Sequence, residues 1–361
     1  MIPDFIHRLL IKLVLSILLL AAPFAAAQQQ VRFGVLGLFH LHELQLEQGD
    51  LQVLSVAANG SAATPAFVLN GEPGHRQLLF RAEGDRVIAN SRSAVSWTAT
   101  ARGGGDAALR LTVPGKLHRV YLARLIVTAH NGELRAVACM DRETAVASIV
   151  AAEMDLNAPI EALKAQAIAT RSFLTAGSRH LGFDFCDTTH CQFLKSPPPL
   201  TSRVSSAVQA TRGMLITYRG KPLAAMYSSR CGGHTHSLRE IGLEPSQSTD
   251  EDYPYYGVLC AWCLRHPFVW RSRIDDSKHA PKSGNEYQRI KAARQWGWSA
   301  VPGNDFTAAK DTSGWQLEGR SIGHSVGMCQ HGAIGMALAG ASFREILSHY
   351  YPNTLLIKQP N

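Results

Sequence analysis

Between residues 31 and about 135, apolar positions come in short and often alternating runs, at 31–38, 51–57, 77–82, 108–113 and 119–129. Asn59-Gly60, Glu72-Pro73-Gly74, Gly103-Gly104-Gly105 and Asn131-Gly132 punctuate them, so the pattern predicts strands joined by turns. The period changes at Asp141. Val146, Ile149, Val150 and Met154 recur at helical spacing, which predicts a helix over 141–155 with Asp141 as N-cap. Glu153 falls on the same stripe, seven after Val146, four after Ile149 and three after Val150, so its carboxyl is expected on the apolar face. A second helix is expected over 159–176, with Pro159 in its first turn and Gly177 at its end. Further on, 202–209 suits a short helix, 214–218 and 223–227 a strand pair around Arg219-Gly220, and 330–339 a helix stopped by Gly340. Ser342 and Glu345 make a capping box for a last helix to Tyr350, with Pro352 beyond it. Strands that run together before the helices begin define an α+β class.

The first residues bear on compartment. Arg8 and Lys12 precede an apolar run over 13–22, and Ala25-Ala26-Ala27 stands before Gln28, the layout of a secretory signal peptide cleaved after Ala27. A retained anchor is the alternative, but the run is short for a bilayer span. No Cys follows it, which argues against lipoprotein processing. Removing residues 1–27 takes Asp4, Arg8 and Lys12 with it and lowers the net charge from +8 to +7. A basic exported chain suits an anionic partner such as cell wall rather than nucleic acid. Seven cysteines in an oxidising compartment leave at least one outside any internal pairing.

Four groups of residues could carry chemistry. A carboxyl on an apolar face is desolvated, so Glu153 is expected to hold its proton to higher pH, as an acid for glycosidic cleavage must. The alternative is a buried glutamate paired for structure with Lys164 or Arg171, which lie two turns apart on the next helix and would line the same groove. His180, Cys186, His190 and Cys191 offer four zinc ligands within twelve residues, and a disulfide between the two cysteines is the competing outcome. Cys260-Ala261-Trp262-Cys263 lacks a βαβ setting for redox chemistry and is read as structural, joined by Cys231. The run GHSVGMCQHGA at 323–333 is rich enough in glycine for close backbone approach to a ligand, with His324 and Gln330 apt for sugar hydroxyls; a tight packed turn is the other reading.

Three separated stretches resemble the SpoIID/LytB family of stage II sporulation protein D and the amidase enhancer. Glu153-Met154, Pro159 and EALKAQAIATRSF at 161–173 are similar to its E-M, P and E-A-L-K-A-Q-A-V-A-A-R-T-Y. TRG at 211–213 and YSSRCGGHT at 227–235 are similar to T-x-G and Y-x-S-x-C-G-G-x-T. GHSVGMCQHGA at 323–333 and ILSHYY at 346–351 are similar to G-H-G-V-G-M-S-Q-Y-G-A and I-L-x-x-Y-Y, with Ser325, Cys329 and His331 departing from the pattern. The resemblance implies a peptidoglycan lytic transglycosylase, with Glu153 as catalytic acid and Lys164, Arg171, Tyr227 and His324 beside it. It places Ser228, Gly232, Gly233 and Gln330 on the substrate side and a structural zinc on His180, Cys186, His190 and Cys191, with no cofactor needed for the chemistry.

The organisation implied is a leader over 1–27, a β-rich framework over 28–115 and a mixed α/β catalytic domain over 116–358 that forms a glycan-binding cleft. Expected partners are peptidoglycan glycan strands and, from the family's second name, a cell-wall amidase. Neither nucleic acid nor a stable membrane span after leader cleavage is expected. A glycan-presenting amidase enhancer without activity of its own is the rival class. Zinc hydrolysis is a third, disfavoured because two thiols and two imidazoles fill all four zinc positions.

Overall fold

The computed structural model describes residues 30–47, 51–56, 62–69, 77–243, 253–276 and 281–359. The leader predicted over 1–27 therefore lies outside the described residues. Among those described, no helix is long and apolar enough to cross a membrane.

One large sheet, curled into a half-barrel, takes up the first part of the chain. Its spine runs through β12 (Phe185–Cys186), β1 (Gln30–Val35), β11 (Glu133–Asp141), β10 (Leu117–His130), β9 (Ala107–Val113), β2 (Glu43–Glu47), β5 (Gln77–Glu83), β6 (Arg86–Ala89) and β7 (Arg92–Ala94). β3 (Leu51–Val56), β4 (Ala62–Leu69) and β8 (Ser96–Ala101) branch from β10, which pairs with β9 along its first half and with β8 along its second. Such a long strand lets one sheet curl without a break. The pairing of β9 with β10 also carries the sheet across residue 115. In β2 and β9 alternate side chains are buried, as expected where one face meets the core and the other meets solvent.

The helices expected at 141–155, 159–176, 202–209, 330–339 and after Ser342 all form. Asp141 caps α1 (Arg142–Glu153) by accepting from the N–H groups of Glu143 at 2.9 Å and Thr144 at 3.2 Å. Pro159 is the N-cap of α2 (Ile160–Ala176) rather than its first residue, and Gly177 ends it at φ 146°. α2 is buried on two sides. Ala162, Leu163 and Ala167 enter the core shared with the large sheet, while Ala165, Ile168 and Ala169 enter a second core. Small residues at alternate turns let it sit between both. That second core holds β13 (Met214–Tyr218), β15 (Tyr227–Ser228), β19 (Met328–Cys329), α6 (Gln330–Leu338) and α7 (Phe343–Tyr350), whose capping box at Ser342 and Glu345 forms as expected. α3 (Arg203–Ala210) packs beside α2 and is capped by Ser202.

Two expectations change. The hairpin at Arg219-Gly220 forms, but its return strand β14 is only Lys221–Pro222, and β13 finds its longer partner in β20 (Leu355–Lys358). Pro222 ends the ladder because it cannot donate to it. Tyr227 instead enters β15, which pairs in parallel with β19. A small unit of β16 (Trp270–Ile274), β17 (Phe306–Lys310), β18 (Trp315–Gly319) and α5 (Glu286–Trp296) has its own core of Trp270, Ile274, Val301, Phe306 and Leu317; nothing in the strand and helix pattern above anticipates it.

Candidate active site

Glu153 is the last residue of α1, half-buried at the edge of the apolar stripe that buries Val146, Ile149 and Val150 completely. Burial pushes its carboxyl above the ordinary glutamate value. Hydrogen bonds from the Gln330 amide and the Phe193 main chain, and the charge of exposed Lys195, work the other way without cancelling it. The group is thus an acid whose conjugate base already has donors in place.

Those donors belong to a connected polar layer. Gln330 also donates to Gln166 Oε1 at 3.3 Å, and Gln166 Nε2 donates to Thr170 Oγ1 at 3.2 Å. Thr170 lies 3.5 Å from the Tyr227 hydroxyl, which donates to Gln192 Oε1. Tyr227 is buried, and burial together with the charge of Glu153 keeps it a phenol far above the usual tyrosine range. Of the motif residues, Gln330 therefore bonds Glu153 directly, and Tyr227 joins the same layer near enough to feel its charge. Gln330 holds the carboxyl itself and is not left free for a sugar. Gln166, Thr170, Gln192, Phe193 and Lys195 are additions. A signal existed for Gln166 and Thr170, two polar residues one turn apart on an otherwise apolar helix face; the other three sit in a loop without periodicity.

Lys164 and Arg171 each have partners other than the acid. Arg171 is 1% exposed and forms a bidentate pair with Glu143, at 2.7 Å for both bonds, and also donates to the Val208 and Met214 carbonyls. Lys164 pairs with Glu161 at 2.7 Å and lies over the Phe343 ring. Two turns along α2 place these cations on one stripe, but different neighbours cover the two ends.

His324 also proves to be tied. Its Nδ1 accepts from Val326 N–H at 3.0 Å, the Tyr227 main chain bonds the ring, and its own carbonyl accepts from Asn304 Nδ2 at 3.0 Å. Burial lowers its pKa, so it is a neutral imidazole fixing the turn that carries Tyr227's partner strand. Gly323, Ser325 and Gly327 around it all have positive φ, and Ser325 accepts a left-handed backbone at 59° where the family pattern has glycine. Ser228 is buried behind Gly323, where an added Cβ would come within 3.2 Å of Ser228 Cβ. Gly232 and Gly233 take φ 75° and 126°, and a Cβ on Gly233 would strike Leu264 at 2.6 Å. Ser228 and Gly233 thus pack against the protein's own chain, while Gly232 is half-exposed beside Arg320.

These contacts revise the expectation for His324. His324→Ala should leave the buried Val326 N–H without its acceptor and cost about 1–3 kcal/mol of stability. Thermal unfolding reads this directly, and an unshifted melting temperature would return His324 to the list of free loop residues. His324 is held below the ordinary imidazole value of about 6.5, so its contribution is complete above that pH and is lost as pH falls towards the folded value. The wild type should lose more stability on acidification than the variant.

The histidine–cysteine group at 180–191 comes together in space. His180 Nε2 lies 3.2 Å from Cys191 Sγ, and His190 Nδ1 lies 3.3 Å from Cys191 Sγ and 3.6 Å from Cys186 Sγ. All four donor atoms fall within 4.8 Å of one another. Hydrogen bonds from the Cys191 thiol, then from His190, Thr188 and His180, bring Cys186 down to about 3 against the effect of burial. Two soft sulfurs and two imidazoles in this arrangement suit a tetrahedral ion. The cluster is anchored by the parallel pairing of Phe185 and Cys186 with Phe33 and Gly34. Immediately after it come Gln192 and Phe193, which touch Tyr227 and Glu153.

Fold and site together define an α+β protein that presents one desolvated carboxylic acid on a layer of buried amides and phenol. The chain matches the SpoIID model, stage II sporulation protein, over residues 130–218. It is 30% identical over 267 residues to an uncharacterised protein of Brachyspira hyodysenteriae, covering 64% of this chain and 70% of that one. It is similar to the stage II sporulation protein D of Bacillus amyloliquefaciens, 27% identical over 268 residues, covering 58% of this chain and 72% of the relative. It is also similar to the amidase enhancer of Bacillus subtilis, 25% identical over 282 residues, covering 58% of this chain and 39% of the relative. The chain belongs to the SpoIID/LytB family.

Proposed function

We propose that this protein is an exported lytic transglycosylase that cleaves the bond between N-acetylmuramic acid and N-acetylglucosamine in peptidoglycan glycan strands. Family membership supports a cell-wall-related role. The observation that carries the finer reading is the raised, half-buried acid of Glu153 with amide donors already aimed at it. Glu153 gives its proton to the glycosidic oxygen as the bond breaks. Its carboxylate, held by Gln330 and the Phe193 N–H, then takes the proton of the muramyl C6 hydroxyl, and that oxygen closes onto C1 as a 1,6-anhydro sugar. One group serves both steps, so a second carboxylate at glycosidase spacing is not required. Lys195, exposed beside the acid, suits a substrate carboxylate.

His180, Cys186, His190 and Cys191 would hold a structural zinc. Bound there, it would keep the 186–193 loop in the shape that delivers Gln192 and Phe193, and it would take no part in bond breaking. The second reading is a glycan-presenting amidase enhancer, favoured by the name of the Bacillus subtilis relative. Digestion of purified, peptide-stripped glycan separates the two. Anhydro-ended fragments are expected. Glycan binding without products, with stimulation of an added amidase, would replace the enzyme by the enhancer, and reducing ends would point to hydrolysis.

A further inference from the structure

Four further cysteines meet at a second place in the fold. Cys231 follows β15 in the turn before Gly232-Gly233, Cys260 and Cys263 bracket the first turn of α4 (Ala261–Arg265), and Cys329 is the N-cap of α6. All are buried, all carry free thiols, and their four sulfurs lie within 4.8 Å of one another. Cys263 and Cys329 stand 3.6 Å apart.

We infer that Cys231, Cys260, Cys263 and Cys329 form a tetrathiolate zinc site, separate from the histidine–cysteine cluster. A tetrahedral ion with Zn–S bonds of about 2.3 Å places its sulfurs about 3.8 Å apart along every edge. Mutual proximity of all four is what such a site requires. Two disulfides would bring sulfurs together only in pairs, at about 2.05 Å. An iron–sulfur cluster attaches its thiolates to different irons and spreads them wider than they stand here. The Cys-x-x-Cys turn at 260–263 is the ordinary half of a zinc knuckle, and the other two ligands come from distant parts of the chain, the turn after β15 and the end of β19, as in a closed structural site.

The surroundings fit bound thiolates. Gly332 N–H donates to Cys329 Sγ at 3.3 Å, and the Tyr350 hydroxyl lies 3.3 Å from Cys260 Sγ. Such outer donors offset the negative charge of four sulfurs on one divalent ion. The first turn of α6 comes close only because Gly332 has no side chain: a Cβ there would lie 2.6 Å from Cys260 Sγ.

The location gives the ion a purpose. Cys231 stands four residues after Tyr227 and Cys329 one before Gln330, and β15 and β19 pair directly. The zinc clamps together the two strands that lead to Tyr227 and Gln330, the residues of the polar layer beside Glu153. This holds whether the protein cleaves glycan or only presents it.

Elemental analysis of the full chain, purified without metal-affinity resin, should find two zinc ions per molecule. Cys186→Ser/Cys191→Ser should retain one, and X-ray absorption on that variant should give four sulfur ligands at about 2.3 Å. Cys260→Ser/Cys263→Ser should also retain one, with two sulfurs and two nitrogens. Should either variant fail to fold, wild-type protein decides the matter unaided, because two such sites average three sulfurs and one nitrogen per zinc. A single zinc with two sulfur ligands in the wild type would overturn the inference. So would iron in place of zinc, or mapped disulfides among Cys231, Cys260, Cys263 and Cys329.

Discussion

Glu153→Gln is expected to abolish glycan cleavage, with a loss of at least about a hundredfold, while leaving the protein as stable as before or more so. Glutamine keeps the shape and can still meet Gln330 and the Phe193 N–H, but it cannot move a proton. The stability half of the prediction follows from the direction of the shift. A carboxyl whose folded pKa lies above its unfolded value stabilises the fold only while protonated, and that stability is lost as pH rises from the unfolded value through the folded one. Above that raised folded value the wild type therefore carries a destabilising charge that the variant lacks. The same shift sets the pH profile: activity should fall as pH rises through the raised pKa of Glu153, because the acid must start protonated. Turnover and melting temperature measured on one preparation test both halves. Wild-type turnover in folded Glu153→Gln protein would remove Glu153 from the chemistry, and a large drop in melting temperature would make it a structural residue instead.

Arg171→Ala is expected to be the most damaging single substitution to stability among the motif residues, at about 3–5 kcal/mol. Removing the guanidinium leaves Glu143 charged at a site where Arg171 is 1% exposed, and it strips the Val208 and Met214 carbonyls of their donor. The pair joins α1 to α2, so the loss also loosens the helix that carries the acid. Denaturant unfolding measures the effect. The double variant Arg171→Met/Glu143→Leu should recover part of it, since no uncompensated charge remains. A mutant of wild-type stability with defective catalysis would restore the reading of Arg171 as a residue of the cleft.

The contrast between these two residues shows what the sequence could and could not disclose. Glu153 was legible because its oddity is local: a carboxylate at the spacing of Val146, Ile149 and Val150 announces a desolvated acid without knowledge of any other element. The caps at Asp141 and Ser342 were legible for the same reason. The setting of Arg171 was not legible because its partner, Glu143, comes from another helix, and helical spacing says only that Lys164 and Arg171 share a stripe, not what covers it. The same limit hid Gln192 and Phe193 in a loop, and β17 and β18, whose pattern is too short to stand out. Cys329 was noticed only as a departure from a family pattern; its companions lie 66 to 98 positions earlier, and only the fold brings them together. That grouping also accounts for the odd cysteine count, since two cysteines belong to one cluster, four to the other, and Cys139 lies buried on β11 outside both.

The position of β1 has a consequence for how the chain reaches its native state. Gln30 pairs with Asp141, and Phe33 with Phe185, so the first strand sits between partners made more than a hundred residues later. Contacts of such long sequence separation are slow to close. A chain emerging in order from its N-terminus must hold Val31, Phe33 and Val35 unpaired until β11 and then β12 have appeared, with the strand edge available to any other extended segment meanwhile. The place of β1 in the half-barrel can therefore be filled only after β11 has formed, and its second edge only after β12.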